Sequence, residues 1–135
     1  MAEVPCRLAK IVMSENQERQ IVILEEKDGD RRFPIIIGFF EVYAIHRFVN
    51  NEQLPRPLTH ELIGNICNGL DITVDRIVVG ELKDMTFYAR LILQQNGETF
   101  DVDSRPSDAI ALAMHMDAPI FVEEEVIERA SQDFD

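Results

Sequence analysis

Cysteine is scarce in this chain. Cys6 and Cys67 are its two thiols in 135 residues, too few for a disulfide framework. Each sits in an apolar pattern (Val4, Cys6, Leu8 and Ile66, Cys67, Leu70), so both are expected to be buried and free. Neither has a Cys or His partner at ligand spacing, which argues against a structural zinc site. No apolar run approaches the ~20 residues of a spanning helix. The start, Met1 to Arg7, has no basic block followed by an apolar one. No membrane segment and no secretion signal are therefore expected, and the expected location is cytoplasmic. Basic residues are in the minority, 13 against 25 acidic, for a net charge of −12. That balance repels polyanions over most of the surface and counts against simple binding along a phosphate backbone. A Gly-rich phosphate loop, a zinc-binding His pair at helical spacing and a serine elbow are also missing.

What is present suits one globular core. The chain has the length of a single domain, and 46% of it is hydrophobic beside 28% charged, too apolar for a disordered chain. The charge is unevenly spread. Residues 123–135 carry a net −5, whereas residues 31–60 carry a net +2 through Arg31, Arg32, Arg47 and Arg56. Any nucleic-acid surface must then be local. We expect a domain over residues 1–128 and a frayed acidic tail over residues 129–135.

Alternating apolar residues predict strands over 4–13 and 19–25, around a polar loop at 14–18. The second strand is β-branched or apolar on both faces (Ile21, Val22, Ile23, Leu24) and should be central. Asp28-Gly29 supplies a turn before a third strand over 33–37. After Gly38, residues 39–49 read as a helix whose apolar set wraps most of its circumference, as for a helix buried on two sides or facing another subunit. Thr59 is expected to cap a second helix carrying Leu62, Ile63, Ile66, Cys67 and Leu70, with Gly69 as its stop. Residues 71–83 read as strand.

Asn96-Gly97 between two alternating runs is a strong hairpin signal. A two-residue turn there sets Leu93 opposite Phe100 and Leu91 opposite Val102 on an apolar face, and Arg90 opposite Asp103 on the other. Ser104 is expected to cap a third helix over 109–116, with Pro106 and Asp108 in its entrance and Ala109, Ala111 and Ala113 packed closely. A strand over 119–122 and a short acidic helix follow. The expected class is α+β: one domain with a mixed, largely antiparallel sheet of about seven strands, three main helices and a short C-terminal helix.

Two polar clusters stand at helix entrances, each beside an Arg-Pro pair. One is Arg56, Thr59, His60 and Glu61; the other is Asp101, Asp103, Arg105, Ser107 and Asp108. Helix starts favour anions, arginine adds phosphate affinity, and paired aspartates can hold a divalent cation. The same residues also suit plain structural work: Ser104, Ser107 and Asp108 as caps, Asp103 as a cross-strand partner of Arg90, the arginines as loop ties. Glu41, inside an apolar helix, needs a partner, and an arginine from another element suits it. Tyr88 lies on the Arg90 side of its strand.

These segments also carry a resemblance. Pro34-Ile-Ile-Ile-Gly38 with Glu41, residues 55–62 (PRPLTHEL), Thr86-Phe-Tyr-Ala89, residues 103–113 (DSRPSDAIALA) and residues 119–123 (PIFVE) resemble the bifunctional nuclease domain family over most of the chain. Glu61 departs from the aspartate usual after Thr-His in that family, and Val42 from its usual alanine. The resemblance implies nuclease activity on RNA and DNA, as in plant members, and small homo-oligomers among bacterial single-domain members. The expected function is a phosphodiesterase on RNA or DNA assisted by a divalent cation such as magnesium or manganese. Asp103 and Asp108 would hold the cation, Arg56 and Arg105 would grip phosphate with Thr59 and Ser107, and His60 would move a proton. Glu41 and Glu61 would orient these groups. The rival expectation is a non-catalytic homo-oligomeric module that binds a small anionic ligand or a protein partner through the same arginines.

Overall fold

Two antiparallel meanders, the first followed by two helices and the second by one, account for most of the chain. The computed structural model describes residues 2–14 and 20–132. The first meander comprises β1 (Glu3–Val12), β2 (Gln20–Glu26) and β3 (Arg32–Ile37), followed by α1 (Phe39–Val49) and α2 (Thr59–Gly69). The second comprises β4 (Thr73–Lys83), β5 (Thr86–Gln95) and β6 (Glu98–Ser104), followed by α3 (Pro106–Met116). β7 (Ile120–Glu123) and α4 (Glu124–Ser131) close the chain. The strands form one seven-stranded sheet in the order β3-β2-β1-β7-β4-β5-β6, a mixed α+β architecture as expected. The expected strand start at Arg19 and the loop over 15–18 lie outside the described residues, as do residues 133–135.

β7 is the seam. It pairs antiparallel with β1 from Glu3↔Glu123 to Cys6↔Ile120, and parallel with β4 from Ile77↔Ile120 to Val79↔Val122. The sheet curls so far that Phe33 on β3 stacks on Phe87 on β5, ring centroids 5.6 Å apart, although four strands lie between them. Val126 and Ile127 of α4 are buried in the same core, and α4 rests on β3, β4 and β7. β2 is interior but not, as expected, central: it lies second from the edge, between β3 and β1. Its Val22, Ile23 and Leu24 are buried, with α1 packed against the strand.

α3 lies against both α1 and α2. Ala109, Ala111 and Ala113 are fully buried, which lets its neighbours approach closely. Gly64 does the same on α2: a Cβ there would stand 2.5 Å from His115 Cδ2 and 2.8 Å from Met116 Sδ. Cys6 and Cys67 are buried free thiols, and burial, with Glu26 adding to it, pushes the Cys6 thiol up to about 11.

The hairpin has the expected register, with Leu93↔Phe100, Leu91↔Val102 and Arg90↔Asp103. Asn96 and Gly97 turn it at φ 51° and 81°, the left-handed pair a tight hairpin requires. Two caps differ from expectation. Leu58, not Thr59, is the N-cap of α2; Glu61 reaches back to accept its backbone N–H at 3.0 Å. Arg105, not Ser104, caps α3, which begins at Pro106 rather than at residue 109. Proline forces the residue before it into extended backbone, and Arg105 has φ −70°, ψ 147°. Ser104 ends β6 and gives its hydroxyl proton to the Arg105 carbonyl at 2.8 Å. Arg90 bonds Asp101 at 2.9 Å rather than the directly opposite Asp103, because its long arm reaches the diagonal neighbour on the same face.

The seam position predicts a sharp contrast between two isoleucines. Ile120→Ala, at a site 6% exposed, should cost ~2–5 kcal/mol in urea unfolding with a single transition. Ile36→Ala, 56% exposed on edge strand β3, should stay within ~0.5 kcal/mol.

Candidate active site at three helix starts

The first turns of α1, α2 and α3 converge on one small cleft of about 320 Å³. Each delivers a functional group from the same helical position or the next. Glu41 is the third residue of α1, His60 the second of α2 and Asp108 the third of α3, with Arg105 at the α3 cap. Helix starts carry free N–H groups and a partial positive charge. Carboxylates are favoured there, and so is an incoming anion.

The two polar clusters meet through His60 Nε2 and Asp108 Oδ1, 2.9 Å apart. Arg105 binds the same carboxylate through Nε to Oδ2 at 2.9 Å and Nη2 to Oδ1 at 3.2 Å. Arg105 Nη2 also lies 3.6 Å from Glu41 Oε2, the arginine partner that Glu41 was expected to need. Burial opposes the charge of Asp108, but the hydrogen bonds and charges of Arg105 and His60 outweigh it and hold its carboxyl below the usual range. Asp108 in turn raises Arg105, with Glu41 adding to the effect. The Arg105 side chain remains 66% exposed, so the guanidinium keeps an open side. Gly38 packs under the Glu41 carboxylate, which would have to turn aside for a Cβ there.

Thr59 lines the cleft with His60, and so do Phe40 and Tyr43. The sequence marked these two rings only as part of an apolar helix. Phe40 is in fact 82% exposed and Tyr43 44%. The remaining expected site residues stand elsewhere. Glu61 turns to Arg47 Nη2 at 3.1 Å and to the Leu58 N–H, and the Leu58 bond leads in lowering its carboxyl, with Arg47 adding to it against burial. Ser107 is buried beneath a neighbouring groove. Arg56 is exposed in the loop before α2 and Asp103 is exposed on edge strand β6; neither lines the cleft. Among the described residues, no three His, Cys, Asp or Glu side chains gather into a group that could hold a metal ion. No helix among them is long and apolar enough to cross a membrane.

Arg47 was noticed only as a charge, and its position is unusual. Its side chain is 2% exposed within α1, with Glu61 as its ion-pair partner. Its Nε is buried without a hydrogen bond. A guanidinium out of water needs its counter-charge, so the pair pins α1 to α2 just behind the cleft.

Comparison with known proteins bears on this arrangement. A family model described as the bifunctional nuclease domain matches residues 22–135. An uncharacterized protein of Mycobacterium tuberculosis is 38% identical over 124 residues, covering 92% of this chain and 74% of that protein. The bifunctional nuclease 1 of Oryza sativa subsp. indica is 29% identical over 105 residues, covering 75% of this chain and 32% of that protein.

Two outcomes are expected from these ion pairs. Glu61→Ala strands Arg47 and should destabilise the fold by ~3–5 kcal/mol, whereas Arg47→Met combined with Glu61→Leu should recover most of that loss. For Asp108, a depressed folded-state pKa stabilises the fold above the unfolded value. That contribution disappears as pH falls through the folded value. Urea unfolding followed from about pH 5 to about pH 1 should therefore show a shallower acid-side loss in Asp108→Asn than in the wild type.

Proposed function

The chain belongs to the bifunctional nuclease domain family, and from that premise we propose that it cleaves phosphodiester bonds of RNA or DNA in the cleft between α1, α2 and α3. The contact of His60 with Asp108, with Arg105 on the same carboxylate, carries this reading. On this reading His60 is a proton carrier and Arg105, beside it, a phosphate-binding group.

Arg105 receives the phosphate. Asp108 and Glu41 hold its inner side, its open side faces the substrate, and the helix starts add their partial charges. Asp108 stays ionised at neutral pH and orients the imidazole through Nε2. Nδ1 is left to take the proton from an attacking water as its oxygen bonds to phosphorus. The bridging P–O bond breaks, and the leaving oxygen takes a proton from solvent. Arg105 neutralises charge building on the non-bridging oxygens. Phe40 and Tyr43 offer exposed ring faces beside the phosphate site, and bases stack on such faces regardless of sequence. The site can therefore work locally within a chain of net charge −12.

A divalent cation at Asp108 remains part of the proposal, although Asp103, its expected second ligand, does not line the cleft. Both oxygens of Asp108 already accept hydrogen bonds, so a cation there must displace Arg105 or His60. Self-association is the other part. Leu62, Ile66 and Leu70 form a half-exposed stripe along α2 at four-residue spacing, the pattern of a helix with a partner.

Cleavage of labelled single-stranded RNA and DNA tests the main reading, run with magnesium, with manganese and with chelator. His60→Ala should lose about 10²–10⁴-fold in rate, and Arg105→Ala should lose substrate affinity as well. Equal cleavage by wild type and His60→Ala would place the activity outside this cleft. Binding without cleavage would return the non-catalytic module. Light scattering should report an oligomer that Ile66→Asp reduces to a smaller species.

A further inference from the structure

A second groove, of about 620 Å³, lies on the far side of Arg105. It runs between edge strand β3, the β4–β5 turn, and the helices α3 and α4. Pro34, Ile36, Leu82, Met85 and Phe87 give it apolar walls. Its polar groups are few: the guanidinium of Arg129, anchored by Nη1 donating to the Leu82 carbonyl at 2.6 Å, Arg105, and the hydroxyls of Ser107 and Thr86, the latter donating to the Asp84 carbonyl at 3.4 Å. Arg105 lines both this groove and the His60 cleft, and Gly38 lines the groove while touching Glu41. The two spaces therefore share one guanidinium.

We infer that this groove is a nucleobase subsite: it takes the unstacked base of a nucleotide whose phosphate rests on Arg105. The inference rests on the nuclease reading and adds that the substrate strand must be single or locally opened. Four observations lead there. The volume is that of a small-ligand pocket. Its make-up, apolar walls with a few converging polar groups, suits a flat heteroaromatic ring with hydrogen-bonding edges. Ser107 is 5% exposed and lines the groove without a side-chain hydrogen bond among the described residues, so its hydroxyl is unspent. Finally, Met85 is 96% exposed at φ 62°. That backbone region is expensive for a long side chain and cheap for Asn or Gly. An apolar side chain is kept at the groove mouth at a cost to the turn. With Phe40 and Tyr43 on the other side of Arg105, a dinucleotide step would place its phosphate between two base sites.

The test uses thymidylyl-thymidine, its two analogues lacking one base or the other, and inorganic phosphate, titrated into the full chain and followed by methyl NMR. Intact dinucleotide should shift the methyls of Ile36 and Met85. Removing one particular base should abolish those shifts and weaken binding about ten-fold or more. Met85→Asn, which suits the positive φ and should fold at least as stably, should produce the same weakening while leaving inorganic phosphate binding unchanged. Intact dinucleotide that leaves Ile36 and Met85 unmoved, or base removal without effect, overturns the subsite. The nuclease reading fails separately: shifts in the groove with no strand cleaved would sink it and leave the subsite standing. Cleavage without those shifts would sink the subsite alone.

Discussion

A four-residue strand holds the two halves of this molecule together. Without β7, the meanders β3-β2-β1 and β4-β5-β6 would share no strand pairing. Reaching that central slot dictates the helices. The chain leaves the first meander at one edge, β3, and must return to β4. It leaves the second at the other edge, β6, and must return to β7. Both journeys cross the sheet, since β3 and β6 are its edges while β4 and β7 lie inside it. α1 and α2 make the first crossing and α3 the second, and they pack together. The convergence of three helix starts follows from this routing.

The charges then complete what the routing began. His60, Arg105, Asp108 and Glu41 come from three helices, and each satisfies another. Asp108 is the hub, holding both the imidazole and the guanidinium on one carboxylate. Behind it, the Arg47–Glu61 pair fixes the separation of α1 and α2 with a charge that water does not reach. Glu61 thus ties α1 to the start of α2. Glutamate in that place, rather than the shorter aspartate, has the arm to reach the Leu58 N–H and Arg47 together. The acidic surplus of the chain coexists with a cationic opening because Arg105 presents its free side outward.

Local rules made much of the fold legible. Asn96-Gly97 set a hairpin register that pairs Leu93 with Phe100, since backbone chirality and alternation leave few options. The helix boundaries near Leu58 and Arg105 were legible only to within a residue or two. There, several oxygen-bearing side chains compete for the cap, and a proline or a reaching glutamate decides between them.

By itself, the sequence determined the composition of the two polar clusters, the strands and helices that carry them, and the family to which the chain belongs. These are properties of neighbours along the chain, where spacing and side-chain chemistry act directly. Only the tertiary structure decided which cluster members meet. It joined His60 to Asp108 across 48 residues, sent Glu61 to Arg47, and left Arg56 and Asp103 outside the cleft. It also turned Phe40 and Tyr43 outward from a helix that is apolar nearly all round. Such choices depend on strand order and on the direction each helix faces. Both follow from burying one shared core, a condition that no stretch of sequence states alone.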